Sequence, residues 1–127
     1  MSAAPERKID IIRRLQQAVA ARDKQAFLDF FAADIEYHYH VGSRPLLGLA
    51  WVDKFITKYW ANNVGATWVI SRHAETDDCL LTEGREEYVN ADGDKVVHPY
   101  MGIIEFKDGK ITGWRDYFQM NDPNAGK

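Results

Sequence analysis

Residues 102–120 read GIIEFKDGKITGWRDYFQM. Two runs rich in Ile, Phe, Trp and Tyr flank the Asp108-Gly109 pair, the strongest short-range signal for a β-hairpin. Side chains alternate along a strand, so Thr112, Trp114, Asp116, Phe118 and Met120 share one face of the second run. That face is mostly apolar and yet carries a carboxylate. An Asp between Trp114 and Phe118 is partly desolvated, so it must find a hydrogen-bonded cationic partner or hold a raised pKa. Either outcome makes Asp116 a candidate for chemistry.

Working outward from this hairpin, the second half of the chain reads as all β. Residues 67–73 form a strand, 76–78 a turn, 79–89 a long strand and 90–94 a Gly-containing turn, and residues 95–106 and 110–120 complete a meander. Pro99 is tolerated only at an edge or a bulge of its strand, which predicts a bend there. The first half is helical. Residues 5–21 place Ile9, Ile12, Leu15 and Val19 on one helical face, with Pro5 in the first turn. Asp23 is positioned to cap a short second helix carrying Ala26, Phe27, Phe30 and Phe31. Residues 35–41 switch to a period of two, with Ile35, Tyr37, Tyr39 and Val41 on one face and Glu36, His38 and His40 on the other. A loop over 42–48 leads to a third helix with Leu49, Val52, Phe55, Ile56 and Tyr59, ending before Asn62. The expectation is an α+β fold, a cone-shaped curved sheet, antiparallel or mixed, closed by three helices from the N-terminal half. Residues 1–127 make a single domain, with 121–127 as a flexible tail.

Composition narrows the function classes. A net charge of −3, with Lys and Arg mixed among acids, argues against a nucleic-acid surface. No apolar run approaches the ~20 residues of a membrane span, and MSAAPERK lacks the apolar segment of a signal peptide. The single Cys79 excludes an internal disulfide framework, which together with the rest suggests a soluble cytoplasmic protein. An aromatic content of 13% suits either an apolar cavity or a well-filled core. His38 and His40 point to one side of their strand and invite a metal, but no carboxylate follows at Val41–Arg44, and no metal site is assigned.

Counting by twos along the long strand sets Arg85, Glu87 and Val89 on one face and Gly84, Glu86 and Tyr88 on the other. With the first set inward, a guanidinium enters the cavity that receives Asp116 and separates an ionised carboxylate from a protonated one. Acid–base catalysis requires that separation. A slip of one residue exchanges the two sets.

The segment KITGWRDYF at 110–118, and more broadly residues 102–118, resembles the C-terminal hairpin of limonene-1,2-epoxide hydrolase and of SnoaL-like members of the NTF2-like superfamily. The resemblance implies the cystatin-like α+β cone and a homodimer through the outer sheet face. It also implies an enzyme without cofactor, acting on a small cyclic or apolar molecule. In the epoxide hydrolase pattern Asp116 falls on the water-activating base, Arg85 on the bridging Arg and Glu87 on the acid. Tyr37 falls on a water-positioning Tyr and Tyr39 on its Asn partner. His98 and Tyr100 fall where aliphatic pocket residues stand, beside Val89, Trp114 and Phe118.

Three functions share that scaffold. One is epoxide hydrolysis by the Asp/Arg/Glu triad. The second is a ketosteroid-isomerase-like proton transfer, by an isomerase or cyclase, with Asp116 as base and Tyr100, Tyr39 or His98 steadying an oxyanion. The third is a non-catalytic binding or dimerisation domain, in which Asp116 pairs with Arg115, Arg85 and Glu87 form a surface pair, and Arg115 and Tyr117 carry the interface.

Overall fold

A computed structural model describes residues 6–39, 41–62 and 66–118 of the chain. The first helix, α1 (Lys8–Ala21), buries Ile9, Ile12 and Leu15 almost completely, as their spacing predicts. Asp23 caps α2 (Lys24–Leu28) by accepting the Ala26 N–H at 3.1 Å. Phe30 and Phe31, expected on that helix, fall beyond its end. Phe31 opens β1 (Phe31–His38), pairing in parallel with Ile111, because sheet pairing gives its backbone partners that a further helical turn would not. The 42–48 loop contains a two-residue strand, β2 (Leu46–Leu47), paired with Glu36 and Tyr37. Then come α3 (Leu49–Asn62), β3 (Thr67–Glu75), β4 (Cys79–Val89), β5 (Lys95–Lys107) and β6 (Lys110–Phe118).

The six strands form one mixed, curved sheet in the order β2-β1-β6-β5-β4-β3, with only β1 and β6 parallel. Its inner face packs against the helices, α1 against β3 and β4, and α3 against β1 and β2. Ile12, Leu15, Ile35, Leu80, Ile104 and Ile111 are at most 1% exposed in the core between them. Each such side chain stabilises the fold by roughly 1.5–3 kcal/mol relative to exposure.

The expected bend at Pro99 lies elsewhere. The β4–β5 ladder runs unbroken through Arg85–Pro99, and the described β5–β6 ladder ends at Tyr100–Phe118, one residue short of the proline. On that side the missing N–H therefore removes no described ladder bond. The register shifts instead between Phe31 and Glu36, Ile70 and Arg72, and Glu105 and Phe106, where a bulge twists and bends its strand. Met120, His40 and the expected 121–127 tail lie outside the described residues.

Candidate functional site

The helices and the inner face of the sheet line a partly open cavity of about 300 Å³. Leu15 and Val19 of α1, Phe27 of α2, and Phe55, Ile56 and Tyr59 of α3 form one wall. Tyr37 of β1 and Tyr39 just beyond its end, Trp68 of β3, Glu86 and Tyr88 of β4, His98 of β5, and Trp114, Asp116 and Phe118 of β6 form the other. The aromatic groups touch in sequence. Trp114 packs on Tyr37 and on Trp68 with ring centroids 5.5 Å apart in both pairs, and Phe55 stacks on Tyr39 at 5.1 Å.

Asp116 sits in this wall as the alternation of its hairpin predicts, across the ladder from Gly102. A Cβ at position 102 would lie 2.5 Å from Asp116 Oδ1 and 3.2 Å from Thr82 Oγ1, so the glycine leaves the space that the carboxyl occupies. Burial pushes the Asp116 carboxyl up to about 8, opposed by the Trp114 indole and reinforced by the negative charge of Glu86. Burial also raises the Glu86 carboxyl. Arg115, the neighbour that an alternative reading paired with Asp116, points to the opposite face and bonds Glu105 at 2.5 Å.

The three residues expected to form a triad do not meet. Glu86 pairs with His98 and with Trp68 across its two ladders, and all three line the cavity. Arg85, between Val69 and Pro99, and Glu87, between Thr67 and Val97, therefore face outward. There Arg85 Nε and Lys95 Nζ each lie 3.5 Å from Glu87 Oε1, a surface cluster of little energetic weight. Val89 shares that outer face and is 52% exposed. The slip arises because GREEYV carries charge at both phases, so hydrophobic alternation does not choose between them. Arg85→Ala and Glu87→Gln are accordingly expected to leave kcat/KM within about twofold, since surface changes away from such sites move free energies by less than ~0.5 kcal/mol. A loss of a hundredfold in either variant would return these side chains to the chemistry.

Tyr37 is buried against Phe31, Phe55 and Trp114, and burial together with Asp116 holds its phenol well above the usual range, so it stays a neutral O–H. Tyr39 lines the cavity and is 36% exposed. His98 is 6% exposed and lies 3.1 Å from the Tyr88 hydroxyl, with its ring edge-on to Phe118. Tyr100 is on the inner face but behind the cavity wall, accepting the Trp68 indole N–H at 2.5 Å, and burial pushes its phenol up to about 12. His38 faces outward as expected, 2.8 Å from Glu36. Among the described residues no three His, Cys, Asp or Glu side chains gather as metal ligands. No described helix is long and apolar enough to cross a membrane.

Phe55, Tyr59 and Trp68 enter the site without having been singled out for it. Phe55 and Tyr59 follow helical spacing, which reports burial and not whether the burying surface is a core or a cavity.

The profile of the SnoaL-like domain matches residues 12–114. The chain belongs to the SnoaL-like family. Solved structures repeat the fold of this SnoaL-like chain at low identity. An LEH-like epoxide hydrolase from M. tuberculosis is 23% identical with a TM-score of 0.76, covering 87% of this chain and 81% of its own. TerC, co-crystallised with polyporic acid, is 21% identical with a TM-score of 0.76, covering 87% and 90%. SalBIII, an epoxide hydrolase/cyclase-like enzyme of pyran ring formation in salinomycin, is 15% identical with a TM-score of 0.78, covering 88% and 90%. At these identities the likeness carries the fold of the SnoaL-like chain and leaves its reaction to its own residues.

Proposed function

We propose that this SnoaL-like protein is a cofactor-independent acid–base enzyme that moves a proton on a small, largely apolar or cyclic molecule carrying a carbonyl oxygen, so isomerising or cyclising it. One observation carries the reading: Asp116 stands in an aromatic cavity whose described lining includes a second carboxyl, Glu86, and neither Lys nor Arg. A carboxylate without a compensating cation is a strong base for its ionised fraction, and a pKa near 8 puts it close to working pH. Asp116 takes the proton from the carbon beside the carbonyl and the electron pair moves onto oxygen. The Tyr37 phenol, neutral throughout, supplies a hydrogen bond to the oxyanion, and protonated Asp116 returns the proton at another carbon. Epoxide hydrolysis in its Asp/Arg/Glu form is the weaker reading, because Arg85 and Glu87 stand outside the cavity.

The test is to incubate a panel of enolisable cyclic ketones and epoxides with the protein in heavy water and read the products by mass spectrometry. Deuterium beside the carbonyl, lost in Asp116→Asn, supports proton transfer. Solvent oxygen in a diol returns the assignment to hydrolysis, and a ligand that binds with neither signal favours a binding domain. For the base role, kcat/KM rises with pH toward a plateau above about 8.

A homodimer belongs to the same proposal. Leu81, Met101 and Tyr117 are exposed on the outer sheet face, Met101 and Tyr117 directly paired, and would be covered by a second copy. Sedimentation is expected to give a dimer that Met101→Lys dissociates; a strict monomer at all concentrations opposes it.

A further inference from the structure

We propose that the substrate of this site carries a positively charged nitrogen, an alkylammonium group held by Glu86 and wrapped by the surrounding aromatic rings. The proposal rests on the acid–base reading above and names the ligand class of that same cavity.

Charge balance is the first ground. The titratable groups around Asp116 are Tyr37 from β1 and Tyr39 just beyond its end, Tyr59 from α3, Glu86 and Tyr88 from β4, and His98 and Tyr100 from β5. The cavity-lining residues of α1, α2 and β3 are Leu15, Val19, Phe27 and Trp68, which supply no charge. Two carboxyls thus share a largely apolar space with no Lys or Arg among its described lining, a costly arrangement unless one keeps a proton or a ligand brings a cation.

The walls are the second ground. Tyr37, Phe55, Tyr59, Trp68 and Phe118 supply the aromatic rings that attract alkylammonium groups, and Glu86 lines the same cavity. The third ground is Trp114. The residue lines the cavity, and its indole Nε1 is buried with no hydrogen-bond partner among the described residues, yet it lies near enough to Asp116 to favour the ionised carboxylate. A cation on Glu86 offsets the like charge that adds to burial in keeping Asp116 protonated, and so shifts Asp116 toward the ionised form that the Trp114 indole favours.

Choline and its neutral carbon isostere 3,3-dimethyl-1-butanol separate charge from shape. Their binding to the full chain is read by the fluorescence of Trp68 and Trp114 and by calorimetry. Choline is expected to bind about tenfold or more tightly than the isostere, and Glu86→Gln to abolish the difference. In the unaltered protein, with carbon-labelled Asp, choline is expected to move the Asp116 titration midpoint below its ligand-free value. This second readout stands if Glu86→Gln does not fold. Equal or tighter binding of the isostere, no measurable binding of either in the millimolar range, or a midpoint that choline leaves unmoved overturns the proposal. Because these are binding measurements, such a failure leaves proton transfer on neutral ligands intact. Conversely, loss of the heavy-water signal would not erase a measured preference for the cation.

Discussion

Replacing Asp116 with Asn is expected to lower turnover about a thousandfold while making the protein harder to unfold above pH 8. The two effects have one cause. Burial raises the folded-state pKa from the ordinary 3.8 to about 8. Below pH 3.8 the carboxyl is protonated in both folded and unfolded chains and costs nothing. Between 3.8 and 8 the unfolded chain releases a proton that the folded one retains, so stability falls as pH rises, and above 8 the penalty is complete. At about 1.36 kcal/mol per pH unit the full penalty is on the order of 5 kcal/mol. Asn carries no such penalty, keeps the shape that Gly102 accommodates, and leaves Trp114 an amide oxygen. Urea denaturation of both proteins at pH 4 and pH 9 checks the sign: the curves should nearly coincide at the lower pH and separate at the higher. A variant less stable at pH 9, or one fully active, would mean that Asp116 is a structural acid.

Gly84→Ala is expected to destabilise the fold by about 3 kcal/mol or more, lowering Tm by roughly 10 °C. A Cβ at Gly84 would lie 1.9 Å from the carbonyl oxygen of Val69 and 2.9 Å from its carbonyl carbon. Both are backbone atoms of the adjoining strand, just before the register shift between Ile70 and Arg72, so relief requires β3 to move and not merely a side chain to rotate. Trp68 lies on that strand, and the cavity wall would shift with it. Glu83→Ala, one residue away and exposed, is the control and should stay within about 0.5 kcal/mol. A drop below about 1 kcal/mol for Gly84→Ala would show that the β3–β4 contact yields.

The order of helices and strands was legible because each element carries its own period. Ile9, Ile12 and Leu15 mark α1 and Asp23 marks the start of α2, while Asp108-Gly109 fixes the last hairpin. Asp116 was legible as a desolvated acid for the same reason: its neighbours Trp114 and Phe118 two residues away settle its face. Phe31 was misplaced because an aromatic residue serves the hydrophobic face of a helix and the start of a strand equally well, and its parallel pairing with Ile111 lies 80 positions along the chain.

The sequence by itself thus determined the order of the helices and the longer strands, three helices over a curved sheet, and the inward carboxyl of Asp116, while the parallel pairing of β1 with β6 came from the tertiary structure. Only the tertiary structure decided which acid joins Asp116. In β4 both phases carry charge, so the choice between Glu86 and the pair Arg85 and Glu87 waited on the ladder to His98 and the contact of Gly84 with Val69. Local periodicity reports what a residue's near neighbours bury, whereas the facing of a strand charged on both sides is set by pairing across the sheet.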